Sequence, residues 1–367
     1  MDIVVGLSGG VDSSVAALLL KQQGQAIAGM FMRNWEDDAS ASECQADIDA
    51  LDARKVALAL GIDLYLRNFA REYWDQVFAH FLAEYRAGRT PNPDILCNRE
   101  IKFKTFLEHA LALGAKKIAT GHYARIDQKD GRFRLLRACD SSKDQSYFLY
   151  TLGQHALAHT LFPIGELEKP KVRGLAETAG FVTAKKKDST GICFIGERNF
   201  PAFLARYLPA QPGEIVDPDF KPIGTHTGLM NYTLGQRGGI GIGGRRLSSG
   251  EPWFVLGKDM LGNRLIVGQG NQHPLLYATR LRATELDFTL GTAPAAGTQL
   301  TAKTRYREVD QACTVVACDS GAIELAFAQP QRAITPGQSV VLYRGEECLG
   351  GAVIQATNAE LDPNRLR

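Results

Sequence analysis

Along the first two hundred residues the apolar positions alternate between two periods. Ile3 to Leu7 is a short, almost continuous apolar run that predicts a buried strand, and Ser13 to Gln23 spaces its apolar residues for a helix closed by Gly24. Ala26 to Met32 predicts the next strand, Glu43 to Leu60 a second helix ending before Gly61, and Asp63 to Leu66 a short strand. Within Arg71 to Tyr85, Trp74, Val77, Phe78, Phe81, Leu82 and Tyr85 recur at steps of three and four, so they share one helical face. Lys116 to Thr120 predicts a further strand. Strands separated by helices of this length predict an α/β doubly wound parallel sheet, covered on both faces.

From about residue 205 the texture changes. Gly and Pro recur at short intervals, as in Pro212-Gly213, Gly235 to Gly244 and Pro336-Gly337, with brief alternating runs between them. That pattern predicts β structure. Asn271-Gln272-His273-Pro274 reads as a linker, which divides the chain into a parallel-sheet domain (1–204), a small central β-rich domain (205–275) and a C-terminal β-barrel (276–367).

Composition narrows the class. The 367 residues are 45% hydrophobic and 22% charged, which excludes intrinsic disorder and collagen-like structure. No apolar run reaches the roughly 18 residues of a membrane-spanning helix. Met1-Asp2-Ile3 lacks the basic start of a signal peptide, so a cytoplasmic protein with no membrane partner is expected. The seven cysteines (44, 97, 139, 193, 313, 318 and 348) include no CxxC pair, which fits neither a disulfide framework nor a four-cysteine metal site.

The octet Leu7-Ser8-Gly9-Gly10-Val11-Asp12-Ser13-Ser14 falls between the first strand and the first helix. Two glycines let the backbone approach an anion, and the free N–H groups of a helix start point at it. The octet carries no Lys-Ser/Thr pair of a Walker loop and no GxGxxG fingerprint. It resembles the pyrophosphate loop of the N-type ATP pyrophosphatases, which cleave ATP between its α and β phosphates and adenylylate a substrate oxygen. The resemblance implies ATP and Mg²⁺ as cofactors, held by Gly6, Leu7, Ser8, Gly9, Gly10, Val11, Asp12 and Ser13, with Asp12 toward the metal or the nucleotide. Met32, ending the second strand, either lies against the adenine or is a core residue. Gly121, ending a later strand, would leave room for the nucleotide.

Two cysteines stand in polar loops. Arg89-Thr90-Pro91-Asn92-Pro93-Asp94-Ile95-Leu96-Cys97-Asn98 separates two helices, and a turn there brings the Asp94 carboxylate near the Cys97 thiol. Cys193 follows Lys185-Lys186-Lys187, and nearby cations lower a thiol pKa. The other five, Cys44, Cys139, Cys313, Cys318 and Cys348, read as small core hydrophobes.

The octet, Phe31-Met32-Arg33-Asn34-Trp35, Thr90 to Asn98, Gly121-His122-Tyr123-Ala124-Arg125, Lys143-Asp144-Gln145-Ser146-Tyr147, Gly191-Ile192-Cys193-Phe194-Ile195-Gly196, Thr233-x-Gly235-Gln236-Arg237 and Cys348-Leu349-Gly350-Gly351 occur in this order. In that order they resemble the bacterial tRNA-specific 2-thiouridylase family along essentially the whole chain, most loosely in the C-terminal domain. The resemblance implies thiolation of the wobble uridine in tRNAs for Lys, Glu and Gln, with a cysteine desulfurase or sulfur-relay protein as sulfur donor. It implies that Cys193 carries a persulfide whose outer sulfur attacks the adenylylated C2 position. Cys97 then releases that sulfur by forming a transient Cys97–Cys193 disulfide, and Asp94 acts as general acid/base. Asn92, Pro93, Asp94, His122, Lys143, Asp144, Gln145, Arg305, Tyr306 and Gln338 are the implied tRNA contacts. Read singly, Lys143 and Arg305 are equally solvated surface charges, and Tyr123 beside His122 is equally a packing residue.

Two other functions remain open on sequence: another ATP pyrophosphatase, such as a lysidine or amidotransferase synthetase, or a non-catalytic tRNA- or nucleotide-binding adaptor. Forty-two Lys plus Arg against forty Asp plus Glu leave a net charge of only +2. Residues 1–100 carry nine basic and fifteen acidic side chains, whereas 101–250 carry twenty-two and thirteen. The near-neutral average therefore hides a basic middle suited to a phosphate backbone.

Overall fold

A computed structural model of the chain describes residues 1–36, 45–188, 200–242, 250–319 and 321–359. Its first sheet has the order β3-β2-β1-β4-β7, built from β1 (Ile3–Gly6), β2 (Ile27–Arg33), β3 (Leu64–Asn68), β4 (Lys117–Ala119) and β7 (Thr160–Leu161), all parallel. Strand alternation divides the core. Val4, Met30, Met32 and Ile118 pack with Phe78, Phe81 and Phe106 on one face, while Val5, Phe31 and Ala119 pack with Val15, Val56 and Val172 on the other.

The helices covering this sheet are α1 (Val11–Gln22), α2 (Gln45–Leu60), α3 (Ala70–Tyr73), α4 (Ala79–Arg86), α5 (Pro93–Leu96), α6 (Phe106–Ala112), α7 (Gln154–Ala158) and α8 (Lys169–Thr178), with α9 (Phe200–Ala205) following. The helix expected over 71–85 is interrupted by a π-helical turn at Trp74–Phe78, which displaces Trp74 from the buried stripe. Its indole is 42% exposed, yet it stacks on Trp35 with ring centroids 6.0 Å apart.

The central sheet runs β10-β11-β8-β9, from β8 (Gly213–Val216), β9 (Pro222–His226), β10 (Trp253–Asp259) and β11 (Arg264–Gln269). The last six strands are β12 (Tyr277–Phe288), β13 (Gln299–Lys303), β14 (Gln311–Cys318), β15 (Ala322–Arg332), β16 (Ser339–Arg344) and β17 (Glu347–Thr357). They follow the order β12-β15-β14-β13-β16-β17, and β17 pairs back onto β12, which closes an antiparallel barrel.

One hairpin crosses the divisions read from the sequence. β5 (Ala124–Lys129) and β6 (Arg132–Arg137) belong to the first domain in sequence but extend the barrel sheet, with Leu135 opposite Cys348. Arg137 lies over the Tyr343 ring at 3.6 Å, and Tyr343, Cys348 and Val341 share one core with Tyr147 and Tyr150. The barrel is therefore bonded into the parallel-sheet half by backbone pairing and by a common core.

Candidate active site

The octet forms the expected strand-loop-helix. Gly9 has φ +72°, and a Cβ there would stand 2.3 Å from the Asp49 carbonyl oxygen, so only glycine lets α2 lie this close to the loop. Gly10 is the N-cap of α1 and offers no side-chain cap, which leaves the N–H groups of the first turn open toward an anion. The loop is braced from within: Ser14 Oγ donates to the Gly10 carbonyl at 2.8 Å, and the Ser8 N–H donates to Ser13 Oγ at 3.2 Å.

Around Asp12 the electrostatics are dense. Lys169 Nζ, on a side chain only 9% exposed, donates to both Asp12 oxygens at 2.8 Å, and the Tyr123 hydroxyl donates to Oδ1 at 2.9 Å. Burial, then the Asp12 charge, drives the Tyr123 phenol far above its ordinary pKa, so it stays a donor. Lys186 donates to the Gly9 carbonyl at 3.0 Å and pairs with Asp49 and Asp52. Nothing local marks Lys169 as a loop cation, and Lys186, read from the sequence as one of three cations preceding Cys193, is spent on the loop and on α2 instead.

Gly121 lies against the start of α1. A Cβ on it would stand 2.5 Å from the Ser13 backbone nitrogen and 2.6 Å from the Asp12 carbonyl carbon. Its missing side chain makes room for the backbone that carries Asp12 and Ser13. Met32 is buried in the core with its Cε 3.4 Å from where a Gly6 Cβ would be, beside the strand that enters the loop. Two residues on, fully buried Asn34 has neither amide atom hydrogen-bonded.

The Asn92–Cys97 loop is helical where it matters. Asn92 caps α5 by accepting the Asp94 N–H at 3.2 Å, Pro93 occupies the first helical position, and the Cys97 N–H reaches the Pro93 and Asp94 carbonyls. Asp94 and Cys97, three apart in helical backbone, therefore share a face. Cys97 is 0% exposed and opens a nine-residue π-helical segment, Cys97–Thr105, a geometry frequent at functional sites. Cys193, with its flanking Ser189 to Gly196, lies outside the described residues, as does Cys44. Its neighbours in sequence are placed: Asp188 pairs with Lys143, Lys169 and Arg173 at 2.7–2.8 Å, and Phe203 packs edge-on to Trp35 at 5.8 Å.

The implied tRNA contacts separate into two groups. His122 is buried between Phe103 and Phe162, with Nδ1 2.8 Å from the Thr120 hydroxyl and Nε2 3.5 Å from Lys102 Nζ. Burial, then the Lys102 charge, pushes its pKa well down and keeps the ring neutral. Lys143 is partly exposed, and Tyr306 packs at a tilt against Phe148 with ring centroids 4.4 Å apart. The others spend their polar atoms on hydrogen bonds within the protein. Asp144 is buried and accepts from the Ala138 and Ser146 N–H groups and the Ser146 hydroxyl, so its carboxylate caps a turn. Gln145 exchanges hydrogen bonds with the Tyr123 backbone. Arg305 donates to the Ala333 carbonyl at 2.6 Å and the Leu234 carbonyl at 3.3 Å, and Gln338 Nε2 to the Thr90 carbonyl at 2.8 Å.

Gln338 thus holds the barrel against the segment that leads into Asn92-Pro93-Asp94. The central domain holds the same segment: Lys258 Nζ donates to the Gly88 carbonyl at 3.0 Å from a buried position that pulls its pKa down to about 8. A lysine depressed from 10.5 binds fewer protons folded than unfolded between the two values, so its cost to folding fades as pH rises from about 8 to 10.5. Urea unfolding at pH 7.5 and 9.5 is expected to show the wild type gaining on Lys258→Met at the higher pH. Parallel curves would reject this.

Comparison with known proteins decides the family. The tRNA methyl transferase HUP domain model matches residues 1–197, the tRNA methyl transferase PRC-barrel domain model 201–269, and the aminomethyltransferase beta-barrel domain model 278–354. The tRNA-specific 2-thiouridylase MnmA of Nitrosococcus oceani is 61% identical over 97% of this chain and 97% of its own length. That of Ralstonia pickettii is 60% identical over 96% of each. The chain belongs to the tRNA-specific 2-thiouridylase family. Within that family frame, the parallel sheet, central sheet and closed barrel are its three architectural parts, and no helix among the described residues is long and apolar enough to cross a membrane.

Proposed function

We propose that this protein is a cytoplasmic, ATP-dependent sulfurtransferase that replaces the C2 oxygen of the wobble uridine in tRNAs for Lys, Glu and Gln by sulfur. The carrying observation is the Asp94/Cys97 pair, one helical turn apart at the start of a π-helical segment, in a domain whose phosphate loop is an open helix N-terminus. The family-model descriptions speak of methyl transfer and the relatives' names of thiolation. An open ATP-type loop with an acid–thiol pair favours thiolation.

The residues present fit MgATP. Positive φ at Gly9, the uncapped first turn of α1 and Lys169 suit a polyphosphate, and Asn34 offers an unpaired donor and acceptor. Among the described residues no group of three or more ligating side chains could hold a metal alone. Mg²⁺ shared between Asp12 and nucleotide phosphates accords with its habit of taking one or two carboxylates beside substrate oxygens.

ATP supplies an adenylyl group that turns the poor leaving oxygen at C2 into AMP, with pyrophosphate released. A persulfide on Cys193, supplied by a cysteine desulfurase or relay protein, attacks C2 and leaves a Cys193–S–S–C2 link. Cys97 attacks the Cys193 sulfur, the electron pair passes to the sulfur on C2, and a Cys97–Cys193 disulfide remains for a cytosolic dithiol to reduce. Asp94 handles the proton beside Cys97. His122 and Lys143 remain proposed tRNA contacts through their side chains, while Arg305, Gln145 and Gln338 act by holding the surfaces that meet it.

Mass analysis of wobble uridine after incubating tRNA with the protein, ATP, Mg²⁺ and a persulfide donor is expected to show 2-thiouridine. Its absence would reject the reading. Because a basic middle segment meets a polyanion, tRNA affinity is expected to fall steeply between 50 and 200 mM salt, by about 10³-fold for some six phosphate contacts. A flat response in a filter-binding titration would count against it.

A further inference from the structure

Both oxygens of Asp12, the carboxylate that the phosphate loop presents, already serve a cation. Lys169 Nζ lies 2.8 Å from Oδ1 and 2.8 Å from Oδ2, and the Tyr123 hydroxyl donates to Oδ1 at 2.9 Å. An ammonium equidistant from two carboxylate oxygens stands where a cation binding both would stand. No other cation pairs with Asp12 among the described residues. The ammonium is held there from behind: Lys169 opens α8, its backbone N–H donates to Asp140 Oδ2 at 3.0 Å, and its side chain is only 9% exposed. Lys169 Nζ also reaches Asp188 at 2.8 Å, and Asp188 in turn takes Lys143 at 2.8 Å and Arg173 at 2.7 Å. Asp12, Asp140 and Asp188 therefore balance Lys143, Lys169 and Arg173, so the node has no negative charge to spare.

We infer that Lys169 is a specificity-determining residue that keeps free divalent metal off Asp12 and yields that carboxylate only to a metal arriving with nucleotide phosphates. A free divalent cation has to move the ammonium off Asp12, and it adds two positive charges to a balanced node. A metal–nucleotide complex brings its own anions. Its phosphates, at the uncapped first turn of α1, give the displaced ammonium a new partner, while Lys143 and Arg173 keep Asp188 paired. One unit charge within about 4–6 Å moves an ionic equilibrium by about one to three pKa units, or about 10- to 1,000-fold, which is the scale of discrimination that Lys169 supplies. When the nucleotide leaves, the same ammonium returns to Asp12 and restores the balance.

The inference rests on the reading of the loop as an ATP site, and the test separates the two. The probe is Mn²⁺ in place of Mg²⁺, with binding to the full-length protein followed by loss of the free-ion EPR signal, with and without a non-hydrolysable ATP analogue. In the wild type the analogue is expected to tighten Mn²⁺ binding at least about tenfold. Without nucleotide, Lys169→Met is expected to bind Mn²⁺ at least about tenfold more tightly than the wild type, and Lys169→Arg, which keeps the charge, to stay with the wild type. Adding Asp12→Asn to Lys169→Met is expected to remove the gained site. Lys169→Gln serves the same purpose should circular dichroism show Lys169→Met unfolded. A merely structural Lys169 would leave nucleotide-free Mn²⁺ binding unchanged in the folded variant, and that result overturns the inference alone. So does a wild type that binds Mn²⁺ equally well with and without a bound analogue. A wild type that binds no analogue, with Mn²⁺ or without, overturns the ATP reading as well.

Discussion

Cys193→Ser is expected to lower 2-thiouridine formation by about 10³-fold or more, the scale of removing a nucleophile, while tRNA-dependent pyrophosphate release continues. Serine keeps the size of the side chain but cannot carry a persulfide, so only the sulfur half of the reaction is lost. Cys97→Ser is expected to fail differently. The first transfer still occurs, but nothing then attacks the Cys193 sulfur, and tRNA accumulates on the protein through a Cys193–S–S–C2 link. A gel without reductant would show that adduct, and dithiothreitol would release it. The pair of outcomes separates this enzyme from a lysidine or amidotransferase synthetase, which needs no pair of loop cysteines. Retained thiolation in both variants would sink the sulfur relay.

The complete burial of Cys97 gives that prediction its structural side. The thiol sits in the same core as Ile95, Ile101 and Tyr150, beneath a segment anchored by the barrel through Gln338 and by the central domain through Lys258. Cys97 therefore presents no surface to an external thiol.

Local signals made the phosphate loop and the Asn92–Cys97 cap readable in the sequence, because each depends on residues a few positions apart. Gly9 and Gly10 between a strand and a helix, and Asn92 two residues before Asp94, state their geometry directly. The β5–β6 hairpin was also readable and was passed over. Asp130-Gly131, both with positive φ, form the two-residue turn that such a dipeptide favours between alternating strands. Its destination was not readable, since pairing Leu135 with Cys348 joins positions over two hundred residues apart. The same holds for Lys169, Lys186 and Lys258, whose neighbours in sequence give no hint that they face Asp12, Gly9 and Gly88. Asp144 shows the opposite error. A polar triplet suggested three outward contacts, but a caps-and-turn role took the carboxylate inside. Gly121 was read as leaving room for a nucleotide, and the nearness of α1 is a second reason for glycine there that no local signal announces.

That nearness makes Gly121→Ala the sharpest test of how the loop is held. The added methyl would meet backbone on α1, at Ser13 and Asp12, and no flexible side chain stands there to yield. Relief requires α1 to shift away from β4, at an overpacking cost of about 1–3 kcal/mol. Stability should therefore fall modestly, and thermal unfolding should remain cooperative. Catalysis should suffer far more, because the first turn of α1 carries the N–H groups and Asp12 proposed to hold the phosphates. A displacement near 1 Å at a site of this kind costs about 10²-fold. Gly174→Ala, in the middle of α8 with open space around it, supplies the control: the same added methyl should leave activity unchanged and slightly favour the helix. If Gly121→Ala bound ATP and released pyrophosphate like the wild type, the close contact between β4 and α1 would not be what sets the loop.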